Sequence, residues 1–209
     1  MHDTTHILMI LFALIIAIPI HEFAHARSAV SYGDDTPARD GRLTIFPWTH
    51  FEPVGAVFMI ISSIIGMGIG WGKPVMVNPA NFRHPRLDDV KCAAWGPYSN
   101  LLLAIAFAIP LRFSWIRMDD PLYELLWIFV QVNLGLMMFN LIPVYPLDGS
   151  HIVRGLLPVH LADSYHQFMR QWGFIILMLL LFAGQGLLTV FVSMPSYRLA
   201  VLLVPDLGR

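Results

Sequence analysis

ILMILFALIIAIPIHEFAH, from Ile7 to His25, is the stretch that decides how this chain is read. On a helix, positions i and i+4 share a face, so His21 and His25 can hold one zinc ion between them. Glu22 then lies beside that ion and can act as general base on a metal-bound water. In a soluble chain the pattern would indicate a metalloprotease. Here Ile7 to Ile20 carries no charge, so the chemistry is expected inside a membrane. Ionisable groups in a membrane helix cost about 2.5 kcal/mol or more each and are functional by default. Hydrogen bonding of His and Glu within a helix bundle is the plainer alternative.

Composition supports the membrane. Of 209 residues, 56% are hydrophobic and 13% charged, and mean hydropathy is +0.63; soluble domains carry about 25% charged residues. Net charge is −1, so no basic field points to nucleic acid. Cys92 is the single cysteine, which excludes an intrachain disulfide and argues against a cysteine-based metal site. Met1-His2-Asp3 has no Lys or Arg, so the first apolar run is expected to be a retained helix and not a signal peptide. Residues 1–209 are expected to form a single integral-membrane domain, with a core over about 7–155 and C-terminal helices over about 168–205.

A spanning helix needs about 20 apolar residues. Four stretches approach or meet that length: Ile7 to Val30, Cys92 to Leu111, Leu122 to Leu141, and Gly173 to Met194, the last interrupted by Gly184-Gln185-Gly186. The fold class expected is an all-α polytopic membrane protein, a three-helix core plus one or two C-terminal helices. Val54 to Gly70 is shorter and glycine-rich. RLTIF (Arg42–Phe46) alternates weakly and predicts a small strand at the membrane surface, able to pair with PVMV (Pro74–Val77). If Asp148 meets HEFAH on one metal, the first helix and the Leu122–Leu141 helix run in the same direction. An odd number of crossings then separates them, and Val54–Gly70 becomes a re-entrant segment. This places Arg27, Arg39, Arg42, Lys73, Arg83, Arg86, Lys91, Arg154 and Arg170 on one side, which should be cytoplasmic, and the metal site toward that face.

Catalytic zinc usually takes three protein ligands and a water, and two histidines leave one place open. Asp148, in NLIPVYPLDG, follows an apolar helix where Pro143 and Pro146 break the chain and Gly149 permits a turn. It can instead be the cap of a helix starting near Gly149. His50, Glu52, His151 and His160 are the rivals, with His151 close enough to Asp148 to support a ligand. Asn100 and Asn140 are amides in apolar helices, able to bond a substrate carbonyl or a backbone group. Asn133 and Gln131 read better as interhelical hydrogen bonds.

Taken in order, HEFAHA, GRLT with the following H-x-E-P, GWGKPVMVNP, GPYSN and NLIPVYPLDG resemble the site-2 protease family of intramembrane zinc metalloproteases. The resemblance runs over about residues 7–155, with HExxH and N-x-x-P-x-x-x-x-D-G its most specific part. It implies zinc held by His21, His25 and Asp148, Glu22 as catalytic base, and Asn140 placing the substrate or stabilising the oxyanion. The match is to short members without PDZ or CBS domains. The expected partners are a transmembrane protein substrate and the lipid bilayer, in a prokaryotic inner membrane. Trp95 departs from the family, where alanine usually precedes Gly-Pro, as does Ser150-His151 after Asp-Gly. Two rivals remain. A di-iron oxidase would need clustered histidines, and the other seven here are scattered. A non-catalytic metal-binding or scaffolding membrane protein would have no use for Glu22.

Overall fold

The computed structural model describes residues 4–50, 52, 53, 55, 57 and 72–205. Among the described residues the main helices are α1 (Thr4–Tyr32), α2 (Thr36–Arg39), α3 (Pro85–Arg112), α4 (Pro121–Asn140), α5 (Asp148–Leu156), α6 (Val159–Ala183) and α7 (Gln185–Leu203), the last with a π-helical turn at Thr189–Ser193. Prolines open α3 and α4, where a missing N–H costs nothing, and Asp120 caps α4 by accepting from Leu122 N at 2.8 Å. Among the described residues, five helices (α1, α3, α4, α6, α7) are long and apolar enough to cross a bilayer. The protein is an integral membrane protein.

α3 is the hub, packing against α1, α4 and α5. Small residues allow the close approach: Ala13, Ala17, Ala26 and Ala29 are buried on α1, and Ala93, Gly96, Ala104 and Ala108 on α3. His6 near the start of α1 meets Glu124 near the start of α4. At the other end, His21 and His25 of α1 meet Asp148, just past α4. The two helices therefore run in the same direction, as expected, and α3 runs against both.

His50 O accepts from Lys73 N at 2.8 Å, and Tyr32 O accepts from Arg83 N at 3.1 Å. The chain thus leaves α1 and comes back to α3 at the same end of the bundle. The expected re-entrant segment, Val54–Gly70, lies largely outside the described residues.

The expected β element is a correction. No strand occurs among the described residues, and neither Arg42–Phe46 nor Pro74–Val77 forms one. Local bonds hold this stretch folded on itself and take up Thr44 O and Phe46 N, which a ladder would need. Thr44 O accepts from His50 Nε2 at 2.8 Å, Thr44 Oγ1 from Phe46 N at 3.1 Å, and Thr49 O from the Arg42 guanidinium. In the expected partner segment, Pro74 has no N–H, and Val75 N is bonded to Glu22.

The C-terminal region is two helices, not one over Gly173–Met194. α6 ends at Gly184, whose N–H bonds Leu180 O at 3.0 Å, and α7 starts at Gln185. α7 begins beside Phe139 and ends where Arg112 donates to Leu202 O and Leu203 O, both at 3.2 Å. It runs antiparallel to α4. α6 begins beside Arg86, which bonds Gly155 O and Leu157 O, so both of its ends lie at the Asp148 end. Tyr165 OH donates to Pro143 O at 2.8 Å, and Leu177 and Leu181 pack with Val144 and Leu147. α6 thereby walls the connection from α4 to α5.

Candidate metal centre

HEFAH falls within α1, two residues after Pro19, and places both imidazoles on the buried face toward α3. α5 starts at Asp148 with Leu147 in the cap position. The Asp148 side chain makes no capping bond and points at the imidazoles. His21 Nε2 and His25 Nε2 are 3.1 Å apart. Asp148 Oδ2 is 3.3 Å from the first, and Asp148 Oδ1 is 3.2 Å from the second. His21, His25 and Asp148 thus form one group of potential ligands.

The hydrogen bonds behind the rings show what the group can bind. Cys92 O accepts from His25 Nδ1 at 2.9 Å, so that nitrogen carries the proton. The His21 side is fixed by a relay. Asn133 Nδ2 donates to Phe129 O at 2.9 Å, which leaves Asn133 Oδ1 to accept from Asn100 Nδ2 at 3.1 Å. Asn100 Oδ1 then accepts from His21 Nδ1 at 2.7 Å. With each ring neutral and its proton on Nδ1, both Nε2 atoms present lone pairs, and both lie beside the Asp148 carboxylate. Asp148 Oδ2 is buried with no hydrogen-bond partner. Two such lone pairs and an anion converging on one point make a donor set suited to a divalent cation. Ligands about 2.0–2.1 Å from tetrahedral zinc lie about 3.3–3.4 Å apart, close to the spacing observed. The residues fit zinc.

Clearance matters as much as donors. A Cβ at Gly96 would overlap His25 Nε2 and His21 Cε1, so only glycine lets α3 pass this close to the ring pair. Gly96 is the first residue of GPYSN. Asn100, its last, was expected to face either substrate or backbone. It is fully buried behind His21.

A cavity of about 500 Å³ opens onto the three groups and is also lined by Glu22, Asn140, His151 and the extended chain from Gly72 to Val77. Glu22 Oε2 accepts from Val75 N at 3.1 Å. Asn140 Nδ2 donates to Leu136 O at 3.0 Å, which uses one of its two hydrogens. The extended chain is anchored by buried Asp34, whose carboxylate accepts from Asn78 N at 2.7 Å and Asn81 Nδ2 at 2.8 Å. The rival ligands fall elsewhere. His50 bonds Thr44 O, Glu52 accepts from Gly55 N, and His160 lies exposed in the first turn of α6. His151 lines the cavity but pairs with Asp89, at 3.3 Å. The sequence reading missed Asp89. Its signal was faint, one of two aspartates in the first turns of a proline-started helix.

The family model described as "Peptidase family M50" matches residues 9–180. The chain belongs to peptidase family M50, the site-2 proteases. This M50 chain is 35% identical over 180 residues to "Putative zinc metalloprotease YwhC" of Bacillus subtilis, covering 83% of this chain and 80% of that protein. It is 27% identical over 183 residues to "Putative zinc metalloprotease Rip2" of Mycolicibacterium smegmatis, covering 83% of this chain and 66% of the other. It is also 33% identical over 73 residues to "Zinc metalloprotease MJ0392" of Methanocaldococcus jannaschii, covering 35% and 21%. No solved structure gives a significant match. The M50 chain is a metalloprotease, and its cofactor is zinc.

Proposed function

We propose that this M50 metalloprotease is an intramembrane endopeptidase. It would hydrolyse peptide bonds in or next to transmembrane segments of other membrane proteins, as one domain over residues 1–209. The observation that carries the reading is the convergence of His21, His25 and Asp148 with Glu22 in one cavity of an apolar bundle. In this reading the first three are the zinc ligands. Bound there, zinc polarises the peptide carbonyl and acidifies the water that attacks it. Glu22, one oxygen held by Val75 N–H, takes the proton from that water with the other. It then gives the proton to the amine nitrogen as the C–N bond breaks. Asn140 uses its remaining N–H on the carbonyl oxygen as negative charge develops. The segment from Gly72 to Val77, with Pro74 lacking an N–H and Val75 N–H taken by Glu22, offers the substrate its other backbone groups as a neighbour, so the scissile stretch is held unwound.

Of the twelve Lys and Arg residues among the described ones, nine lie at the site end of the bundle. This supports an orientation with the site toward the cytoplasm, in a prokaryotic inner membrane.

Purified Glu22→Gln is expected to keep stoichiometric zinc and lose about 10⁴-fold in cleavage of a model transmembrane substrate. Asp148→Asn is expected to lose both zinc and cleavage. Metal analysis alongside the cleavage assay checks this. A Glu22→Gln protein that still cleaves would sink the assignment, and Asp148→Asn with full zinc and turnover would return Asp148 to a structural role.

A further inference from the structure

The Asp89–His151 pair is not used by the chemistry above. Asp89 comes from the second turn of α3 and is nine-tenths buried. His151 comes from α5, one turn after Asp148, so its ring lies on the same helix face as that carboxylate. Both side chains line the cavity that holds Glu22, His21, His25 and Asp148. The contact, 3.3 Å between His151 Nδ1 and Asp89 Oδ2, spans two helices and is half-exposed only on the histidine side.

A carboxylate at Nδ1 fixes the tautomer, with the proton on Nδ1 and a lone pair on Nε2. Among the described residues Nε2 has no hydrogen-bond partner. The cavity therefore contains an oriented acceptor on the α5 wall. The segment from Gly72 to Val77 also lines this cavity, and its backbone groups are within it. A peptide held extended along that segment carries amide N–H groups on both edges, and those turned away from the Gly72–Val77 segment need an acceptor in a water-poor site.

We propose that His151, oriented by Asp89, is a further catalytic residue: it accepts a hydrogen bond from a backbone N–H of the substrate beside the scissile bond. Resting on the endopeptidase reading, this gives the site a backbone-recognition element that is indifferent to side-chain identity. Asp89 is a positioning residue that acts through the ring.

The test uses the full chain in detergent with zinc and a model transmembrane substrate. His151→Ala is expected to lower kcat/KM by about 100-fold with zinc stoichiometric, and free imidazole should restore at least a tenth of the loss, because the cavity has room for it. His151→Gln, whose carbonyl oxygen is an acceptor, should fall only about 10-fold. Asp89→Asn should fall about 10-fold alone and add nothing to His151→Ala. Each variant's zinc content and thermal midpoint are read beside Glu22→Gln. A His151→Ala protein within threefold of wild type overturns the proposal. So does a loss that imidazole does not relieve, or an Asp89→Asn effect that adds fully in the double variant. If Glu22→Gln also cleaves, the endopeptidase reading has failed instead, and the two failures are distinguished.

Discussion

α3 and α6 are similar in length, 28 and 25 residues, and treat their neighbours in opposite ways. In their most apolar windows α3 is 44% buried and α6 17%. α3 buries Asp88, Asp89, Ser99 and Asn100, and each makes a hydrogen bond. α6 instead exposes Phe168, Phe174, Ile175, Leu179 and Phe182. In water that contrast would mark α6 as unstable. In lipid it does not, because tails solvate leucine as well as another helix would. Hydrophobicity alone therefore says little about which helix carries the chemistry. Small residues and satisfied polar groups do, since they are what bring helices together and fix their register.

The contrast can be tested from its strongest point downward. Gly96→Ala on α3 adds a single methyl where the two imidazoles sit. It is expected to lower zinc affinity and turnover by more than about 100-fold, beyond what loss of a hydrogen bond behind a ligand costs. Zinc titration of the purified variant checks it, and normal affinity would mean that α3 can move aside. Asn100→Ala removes the acceptor that orients His21. A loss of about 10–100-fold in zinc affinity is expected, with the fold retained. The weakest effect should come from the C-terminal side. Ala200 of α7 is fully buried against α3 and α4, so Ala200→Leu should cost about 1–3 kcal/mol in stability while zinc stoichiometry stays unchanged. Loss of zinc in that variant would break the comparison, because it would couple α7 to the metal centre.

The parts of the site that depend on local spacing could be read directly. His21 and His25 are one helical turn apart, and Asp148 follows a proline break beyond α4 that leaves it within 3.3 Å of both rings. The parallel run of α1 and α4 followed from asking where Asp148 must go. What escaped was whatever depends on partners distant in the chain. Asn133 was legible as an interhelical bond, but that it reaches His21 through Asn100 depends on the rotation of α3. Gln131 was read the same way, and its side chain has no hydrogen bond among the described residues. The strand expected over Arg42–Phe46 failed because alternation is weak evidence against nearby competing donors. The split at Gly184 was visible as Gly-Gln-Gly. That α6 then walls the connection from α4 to α5 comes from its packing on Val144 and Leu147, which no periodicity encodes.

Asp34 gives the cavity wall a dependence on protons. Burial pushes its carboxyl up, but the bonds from Thr36, Asn81 and Asn78 outweigh burial and hold it below the usual carboxylate range. Its folded pKa is thus lower than its unfolded one, about 3.9. The stability it contributes is fully present above that unfolded value and is lost as pH falls through the lower, folded one. Hydrogen exchange at Asn78 N–H should therefore stay flat, after correction for intrinsic rates, from neutrality down to about pH 4. It should accelerate only below that. The extended chain beside Glu22 is in this sense latched by an anion, and the latch stays closed at any acidity a cell interior reaches.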